Sequence, residues 1–300
     1  MNHAIRVWRP DDEEYPYRLR ECCDRPAQLY VKGNIPSMTG PVVAIVGTRH
    51  ATERGKELTH NLVRDLASQL DSLTIVSGGA YGIDIAAHRA AIEYGVPTIM
   101  VLAHGLDKMY PYQHINEANA AMENGGLVSE YPEGTETFAG NFLQRNRIIA
   151  GLADAVVIVE SKVKGGSLCT ARCAFSYNRE LFAFPGRPND ETSLGCNLLI
   201  RSQKAQLINN ASELIASMGW RVKDEKKQPV QLQLIDLMDD LTEAQRDLLT
   251  RLQEAEDGMH INLLVMATER PYSEVSSDLM MLELQGLVRS LPGGIYRFLQ

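Results

Sequence analysis

The chain of 300 residues is 44% apolar and 23% charged, and it carries a formal net charge of −8 at neutral pH. These values are typical of a globular protein with one or two domains, and the acidic balance argues against a broadly basic nucleic-acid-binding surface. No apolar run approaches the roughly 18–20 residues that cross a bilayer, and the first residues lack the layout of a signal peptide. We therefore expect a cytoplasmic protein without membrane contact, in which any anion-binding site is a local pocket.

Residues 1–40 are polar and interrupted by proline, and we interpret them as a short N-terminal extension with one short helix and one extended segment. From residue 41 to 220, apolar runs alternate with helical patterns, which is typical of an α/β domain. The runs are continuously apolar, so we expect strands that are buried on both faces of a mostly parallel, doubly wound sheet. The predicted strands are residues 42–46, 73–77, 97–103, 126–130, 154–160 and 180–184.

The five cysteines match neither a disulfide framework nor a zinc site. Cys22 and Cys23 are adjacent, Cys169 and Cys173 lie four residues apart, and Cys196 stands alone. An odd count without metal-ligand spacing is typical of reduced thiols that pack as small apolar side chains. The sequence predicts no metal site and no cofactor.

The C-terminal quarter of the chain is predicted to be a separate domain. Residues 221–238 lose both periodicities and are interpreted as a linker, and residues 239–300 predict three helices followed by two strands around a Pro-Gly-Gly turn. This order is that of a winged-helix domain. From residue 229 onward the chain has 12 acidic and five basic residues, a net charge of −7. The segment in the recognition-helix position, 272–285, contains no Lys or Arg, so we expect this domain to dock on protein and not to bind duplex DNA strongly.

The stretch VVAIVGTRHATERGKE, residues 42–57, resembles a phosphate-binding loop. A Walker motif requires glycine and serine or threonine where this chain has His50 and Glu57. The Gly-x-Gly-x-x-Gly fingerprint of dinucleotide-binding domains is absent from the sequence. We therefore expect neither a nucleoside triphosphate site nor a dinucleotide site.

Small and polar residues nevertheless follow three of the predicted strands. Because the ends of parallel strands gather at one edge of a sheet, glycines there are placed to let backbone N–H groups approach an anion. The alternative is that these glycines only form tight strand-to-helix turns. The three loops contain Gly47-Thr48-Arg49, Ser77-Gly78-Gly79 and Lys164-Gly165-Gly166-Ser167.

Two arginines are expected in the first turn of a helix whose body is apolar. Arg145 and Arg147 flank Asn146, and cations at a helix N-terminus oppose the helix dipole. Either an anionic ligand or nearby glutamates are therefore expected to hold them. Asp84 and His88, four residues apart on another predicted helix, are expected to hydrogen-bond and fix the second loop.

Eight segments follow in order the signature of the DNA processing protein A family (DprA, also called Smf), which the chain resembles over about residues 15–205. They are YPYRL…RPAQLYVKG, VAIVGTR, IVSGGAYGIDIAAH, MYPYQH, GLVSEYPEG, FLQRNRIIAGLADAVVIVE, KGGSLCTARCA and FAFPGRP…GCNLLI. The resemblance implies an extended Rossmann-like domain that binds single-stranded DNA without catalysing a reaction on it. It also implies a recombination mediator that works as a homodimer, protects incoming DNA during natural transformation and helps to load the RecA recombinase.

The resemblance further implies a phosphate pocket and its residues. Phe142, Tyr81 and Tyr131 are candidates for stacking on bases, although for each of the two tyrosines packing is the expected role. The chain departs from many members in the loop KVKGGSL and in the stretch RSQKAQLI, which lies near the dimer and RecA surfaces of some members. The pocket residues carried over are Gly47, Thr48, Arg49, Ser77, Gly78, Gly79, Phe142, Arg145, Asn146, Arg147, Gly166 and Ser167, with Lys164 as an addition beside them.

The alternative reading is an enzyme. Related Rossmann-like proteins hydrolyse nucleoside monophosphates at the ribose, and they carry the motif Pro-Gly-Gly-x-Gly-Thr-x-x-Glu. The nearest stretch in this chain, KGGSLCTAR, has Ala171 and Arg172 where that motif continues toward its glutamate. We therefore predict a protein that is not an enzyme.

Overall fold

A computed structural model describes residues 4–223, 241–255, 258–291 and 294–299. The chain forms two compact units, Met1–Asp224 and Glu225–Gln300. Most of the linker predicted at 221–238 lies outside the described residues, so its boundaries stay a prediction.

The larger unit is built on a sheet of nine strands: β1 Arg6–Trp8, β2 Leu29–Gly33, β3 Val42–Val46, β4 Thr74–Ser77, β5 Thr98–Leu102, β6 Gly125–Ser129, β7 Ala155–Ile158, β8 Glu180–Ala183 and β9 Gln206–Leu207. Their order across the sheet is β1-β2-β6-β5-β4-β3-β7-β8-β9. Every pair from β6 to β9 is parallel, whereas β1 and β2 form an antiparallel edge. From β3 the chain first adds β4, β5 and β6 on one side and then β7, β8 and β9 on the other. This reversal of strand order is the mark of a doubly wound sheet.

Helices cover both faces of this sheet. They are α1 Tyr17–Arg20, α2 Glu53–Gln69, α3 Ile83–Glu93, α4 Ile115–Glu123, α5 Ala139–Leu152, α6 Ser167–Ser176, α7 Leu194–Arg201 and α8 Ala211–Met218, with a 3-10 turn at Tyr112–His114. Val42 and Ala44 of β3 pack into a core with α1, α5, α6 and α7, whereas Val43 and Ile45 pack into a second core with α2, α3 and α8. Because both faces are buried, the strands are continuously apolar. The predicted fold class is confirmed.

The segment 1–40, predicted as a short extension, contributes β1 and β2 to the sheet. It is also tied to the start of β7 by Arg18 of α1, which is 4% exposed. The Arg18 guanidinium pairs with the carboxylate of Asp154 and donates to the carbonyl oxygens of Met38 and Gly40. This segment is therefore an edge of the sheet and not a separate extension.

The smaller unit contains α9 Glu243–Glu254, α10 Ile261–Thr268 and α11 Tyr272–Leu284, with strands β10 Met259–His260, β11 Val288–Leu291 and β12 Ile295–Phe298. A capping box of Thr242 and Gln245 starts α9. The hydrophobic core of this unit includes Leu248, Val275 and Leu279. Three helices and an antiparallel sheet in the order β10-β12-β11 form the predicted winged helix. Residues 292 and 293 of the predicted Pro-Gly-Gly turn lie outside the described part of the chain.

Candidate functional site

A crevice opens at the carboxyl ends of β3 and β7. The strand β3 pairs in parallel with β4 on one side and with β7 on the other. The helices that follow these two strands, α2 and α6, pack on opposite faces of the sheet. Their loops therefore diverge and leave a crevice, which is where open α/β sheets bind ligands.

The loop after β3 is fixed by Glu160, a buried residue just beyond β7. The Thr48 N–H donates to the Glu160 carbonyl oxygen at 2.8 Å. The Glu160 carboxylate accepts from the N–H and hydroxyl of Thr52, at 2.9 and 2.6 Å, and Thr52 caps α2 by accepting from the Gly55 N–H. A Cβ on Gly55 would lie 2.4 Å from the Glu160 Cδ. This close packing explains Gly55 without a triphosphate-binding motif.

Between the two loops lies a cavity of about 280 Å³, which we call the strand-end groove. Its walls come from the β3–α2 loop, from α5 and from the β7–α6 loop. The groove brings together nine of the thirteen predicted site residues: Gly47, Thr48, Arg49, Phe142, Arg145, Asn146, Lys164, Gly166 and Ser167.

Two exposed cations of the groove, Arg49 and Lys164, make no ion pair with any described residue. The Arg49 guanidinium lies over the ring of Phe142, with its Cζ atom 5.0 Å from the ring centroid, which is cation–π geometry. The nearby Lys162 is different, because it pairs with Glu191 at 2.7 Å. The groove therefore presents two positive charges that are available to an anion.

The N-terminus of α6 forms the opposite wall. Gly166 is its N-cap residue, and no described side chain caps it. The Asn146 side-chain amide donates to the Gly166 carbonyl oxygen at 3.3 Å, and the Ser167 hydroxyl donates to the Ser161 hydroxyl at 2.8 Å. The first N–H groups of a helix carry partial positive charge and bind anions such as phosphate. The helix end thus adds to the charge of Arg49 and Lys164.

The residues Ser77, Gly78 and Gly79 do not line the groove and are buried. The Ser77 hydroxyl donates to the Ile45 carbonyl oxygen at 2.6 Å. The carbonyl oxygen of Gly78 accepts from the Arg145 guanidinium at 2.6 Å. The loop after β4 therefore supports the groove through the Ser77 hydroxyl and the Gly78 carbonyl oxygen.

Two of the N–H groups expected to approach an anion, those of Gly47 and Gly78, are turned to the carboxylate of Asp84 instead. It accepts hydrogen bonds from the backbone N–H groups of Gly47, Gly78 and Ala80. Burial raises the pKa of Asp84 to about 6 against the opposing positive charge of Arg145, and burial lowers the pKa of Arg145 to about 10. A Cβ on Gly78 would lie 2.3 Å from the Arg145 Nη1 and 2.6 Å from the Asp84 Oδ2, so only glycine fits between them. Arg145 and Asp84 form the buried base of the groove.

The two arginines of α5 lie well inside the helix. Because α5 begins at Ala139, the expected first-turn position of Arg145 and Arg147 is wrong, and the helix-dipole argument does not apply to them. No described side chain caps α5 at Phe138, so the sequence carries no start signal there. The Arg147 guanidinium pairs with the Glu130 carboxylate and does not line the groove. Of the two expected partners for this arginine, an anionic ligand or a nearby glutamate, the structure shows the glutamate.

The expected pair of Asp84 and His88 is not formed. His88 instead contacts the Thr98 hydroxyl through Nδ1 at 2.7 Å. Burial, and then the charge of Arg145, lower the pKa of His88 to about 3, so the imidazole is neutral at physiological pH. Asp84 and Arg145 each contact the second loop without a bond to His88.

The three stacking candidates occupy different places. Phe142 lines the groove. Tyr131 does not line it, and its hydroxyl donates to the Gln144 side chain at 3.4 Å. Tyr81 lines a neighbouring cavity. Only Phe142 is thus positioned to stack on a ligand within the groove.

The donors that converge in the groove are a guanidinium, an ammonium and the N–H groups of a helix end, which together suit phosphate oxygens. The part of the chain that the structure describes contains no group of three metal-ligating side chains. None of its helices has both the length and the apolar character of a membrane span.

The fold is a Rossmann-like α/β domain, with a groove at its strand ends, followed by a winged helix. Residues 6–219 match the family model described as DNA recombination-mediator protein A, and residues 236–294 match the DprA winged helix domain. The chain belongs to the DNA recombination-mediator protein A family, and the resemblance noted in its sequence is confirmed.

Curated and solved relatives agree with this assignment. Protein Smf of Escherichia coli is 33% identical over 288 residues, which are 96% of this chain and 76% of the relative. The X-ray structure of DNA processing protein A from Streptococcus pneumoniae superposes with a TM-score of 0.67 at 36% identity, over 71% of this chain and 74% of that one. DNA processing protein A from Helicobacter pylori, whose structure was described for its single-stranded DNA binding mode, gives a TM-score of 0.63 at 34% identity, over 73% of this chain and 98% of that one.

Proposed function

We propose that this chain binds single-stranded DNA in the strand-end groove and acts on it as a recombination mediator. One observation carries the proposal. The unpaired cations Arg49 and Lys164 share one groove with the uncapped N-terminus of α6 and the ring of Phe142. Cations and N–H groups grip backbone phosphates, and an aromatic ring stacks on a base. The single-stranded DNA binding of the Helicobacter pylori relative supports the same assignment.

A groove of this kind accounts for DNA binding by an acidic chain. Residues from 229 onward carry −7 of the net charge of −8, so the preceding residues carry only −1. Repulsion between DNA and the larger unit is therefore small, and the charges that matter are those within a Debye length of about 8–10 Å of the strand. Arg49, Lys164 and the α6 N-terminus meet that condition because they line the groove itself.

The ring of Phe142 favours a single strand over a duplex. Phe142 is half-buried and lines the groove, and the exposed side chain of Arg49 lies over its ring. An unpaired base can leave its neighbours and stack on this ring, whereas a base in a duplex is already stacked on both faces. Phosphate contacts alone would not distinguish the two forms of DNA.

The wider role rests on family membership. We propose that the protein acts in the cytoplasm as a homodimer, protects incoming single strands during natural transformation and helps to load the RecA recombinase on them. It does so without chemistry on the strand. The assay for loading is strand exchange by the recombinase on DNA that is covered by single-strand-binding protein, with and without this chain. Stimulation is expected, and no effect would contradict the loading role.

The binding proposal is tested by fluorescence anisotropy with a labelled oligo-dT of about 20 nucleotides and a duplex of equal length. Oligo-dT is expected to bind at least about fivefold more tightly, from the roughly 1–3 kcal/mol that each stacked base contributes. Ribose release from AMP is measured in parallel and is expected to be absent. Equal or tighter binding of duplex would contradict the proposal, and ribose release would favour the nucleoside-monophosphate hydrolase instead.

A further inference from the structure

A second cavity, of about 790 Å³, opens between α2 and α3, and we call it the α2–α3 cavity. Arg49 and His50 line both this cavity and the strand-end groove. The loops at this junction are locked together. The Thr48 carbonyl oxygen accepts from the Ile83 N–H at 3.2 Å. It lies so close to Gly82 that an added Cβ there would be 2.2 Å away. A strand whose phosphate is held by Arg49 therefore has an adjoining nucleotide beside the second cavity.

The cations of the α2–α3 cavity are neutralised, in contrast to Arg49. Arg89 pairs with Glu117 at 2.7 Å, and Lys56 pairs with Glu53 at 2.6 Å. A phosphate in this cavity would have to compete with the two carboxylates and would meet their negative charge. The charge balance thus favours a neutral polar ligand in the second cavity and places the phosphates in the groove.

The α2–α3 cavity also offers an oriented aromatic ring. Tyr81 is 44% exposed, its hydroxyl donates to the Gln113 side chain at 2.9 Å, and its ring meets that of His114 edge-on with centroids 4.9 Å apart. Ala86 and Ala90, one helical turn apart on α3, line the same cavity with small apolar side chains. A ring held from two sides next to small apolar groups suits a planar heteroaromatic ligand.

We propose that the α2–α3 cavity receives an unstacked nucleobase of the strand whose phosphates lie in the strand-end groove, and that this base stacks on Tyr81. The inference rests on the proposed function, because it takes the bound strand as the source of the base. Arg49 stands at the junction and holds the phosphate between the nucleotide in the groove and the nucleotide in the cavity. Affinity then depends on bases as well as on the backbone.

The test compares the full chain on oligo-dT and on an abasic oligonucleotide with the same number of phosphates. Oligo-dT is expected to bind at least about fivefold more tightly, the ratio that one weakly stacked base provides. Tyr81→Ala is expected to lower this ratio without changing the affinity for the abasic strand. Tyr81→Phe keeps the ring and loses only the hydrogen bond to Gln113, so it is expected to retain the ratio.

A second variant and a cross-link keep the test independent of folding defects in one mutant. Ala86→Trp fills the cavity from α3, and it is expected to lower the ratio as Tyr81→Ala does. An oligonucleotide with 5-iodouracil is expected to cross-link to Tyr81 on irradiation, as mapped by mass spectrometry. A cross-link confined to Phe142, or an unchanged ratio in both variants, would overturn the proposal.

Further measurements distinguish a failure of the proposed DNA binding from a failure of the cavity proposal. They also distinguish a base of the bound strand from a free nucleotide as the ligand. Arg49→Ala is expected to weaken binding of both oligonucleotides, so a normal Arg49→Ala variant would count against the proposed function itself. An unchanged ratio in the cavity variants, with Arg49→Ala still impaired, counts against the cavity alone. Free thymidine monophosphate is expected not to block the cross-link at concentrations where oligo-dT saturates. Equal blocking by both would identify a free nucleotide as the ligand and overturn the assignment to the strand.

Discussion

Replacing Arg49 by alanine removes one of the two unpaired cations of the strand-end groove. The Arg49 side chain is exposed, and its described contact is with the Phe142 ring at 5.0 Å. The loop around it is held by other groups, because Thr48 donates to the Glu160 carbonyl oxygen and accepts from the Ile83 N–H. We therefore expect Arg49→Ala to lower DNA affinity and to leave the free energy of unfolding unchanged.

The size of the loss follows from one phosphate contact. A hydrogen bond to a charged group contributes about 1.5–3 kcal/mol, and the exposure of Arg49 favours the lower end, or about tenfold in affinity at low salt. The slope of log affinity against log salt should become less negative by about 0.7. The measurement is anisotropy with oligo-dT between about 50 and 200 mM salt. Arg64→Ala is the matched control, because Arg64 is an exposed residue of α2 that pairs with Asp65 and lies outside both cavities.

Two results would contradict the expected role of Arg49. If Arg49→Ala keeps both the affinity and the salt slope of the unaltered chain, the groove does not hold the phosphates. If Arg64→Ala loses as much as Arg49→Ala, the strand responds to the charge of the whole unit and not to the groove.

Three further predictions concern stability and the second unit. Arg18→Leu should lower the free energy of unfolding in urea by about 3–5 kcal/mol, because it leaves the Asp154 carboxylate without its partner; unaltered stability would contradict the structural role of this pair. The pKa of Asp84 rises from 3.8 in the unfolded chain to about 6 in the folded one, so the folded state binds more protons and its stability falls as pH rises between these values. Asp84→Asn should lack this fall, and parallel pH profiles for both proteins would count against it. A chain that ends at residue 223 should keep its oligo-dT affinity, since the removed residues from 229 onward carry −7; a large loss in anisotropy would assign DNA binding to the second unit.

The sequence predicted the central strands well because burial on both faces leaves a local trace. Residues 42–46 are apolar without interruption, and the structure buries all of them between two helical layers. The antiparallel edge left a weaker trace, because one extended segment was expected within residues 1–40 and two strands form there. Strand β1 has three residues, two of them exposed, and it exists through its pairing with β2, which in turn pairs with β6. Partners so distant in sequence cannot be found from periodicity.

The candidate site was predictable in position but not in detail. Glycine-rich loops at strand ends located the groove, yet they did not show which backbone groups face a ligand. The Asp84 carboxylate accepts from the N–H groups of Gly47 and Gly78. No sequence pattern predicts that a carboxylate next to an anion site occupies these backbone groups. The contacts by which Glu160 holds the first loop are likewise not predicted by any sequence pattern. Both act through tertiary contacts that only the fold brings together.

We propose above that the strand-end groove holds the phosphates of a single strand. A crystal structure of the full chain with a short oligo-dT tests it most directly. We expect one phosphate within hydrogen-bonding distance of the Arg49 guanidinium, and another at the N–H groups of Gly166 and Ser167. A strand bound along another face, with no phosphate at Arg49 or at the N-terminus of α6, would contradict it.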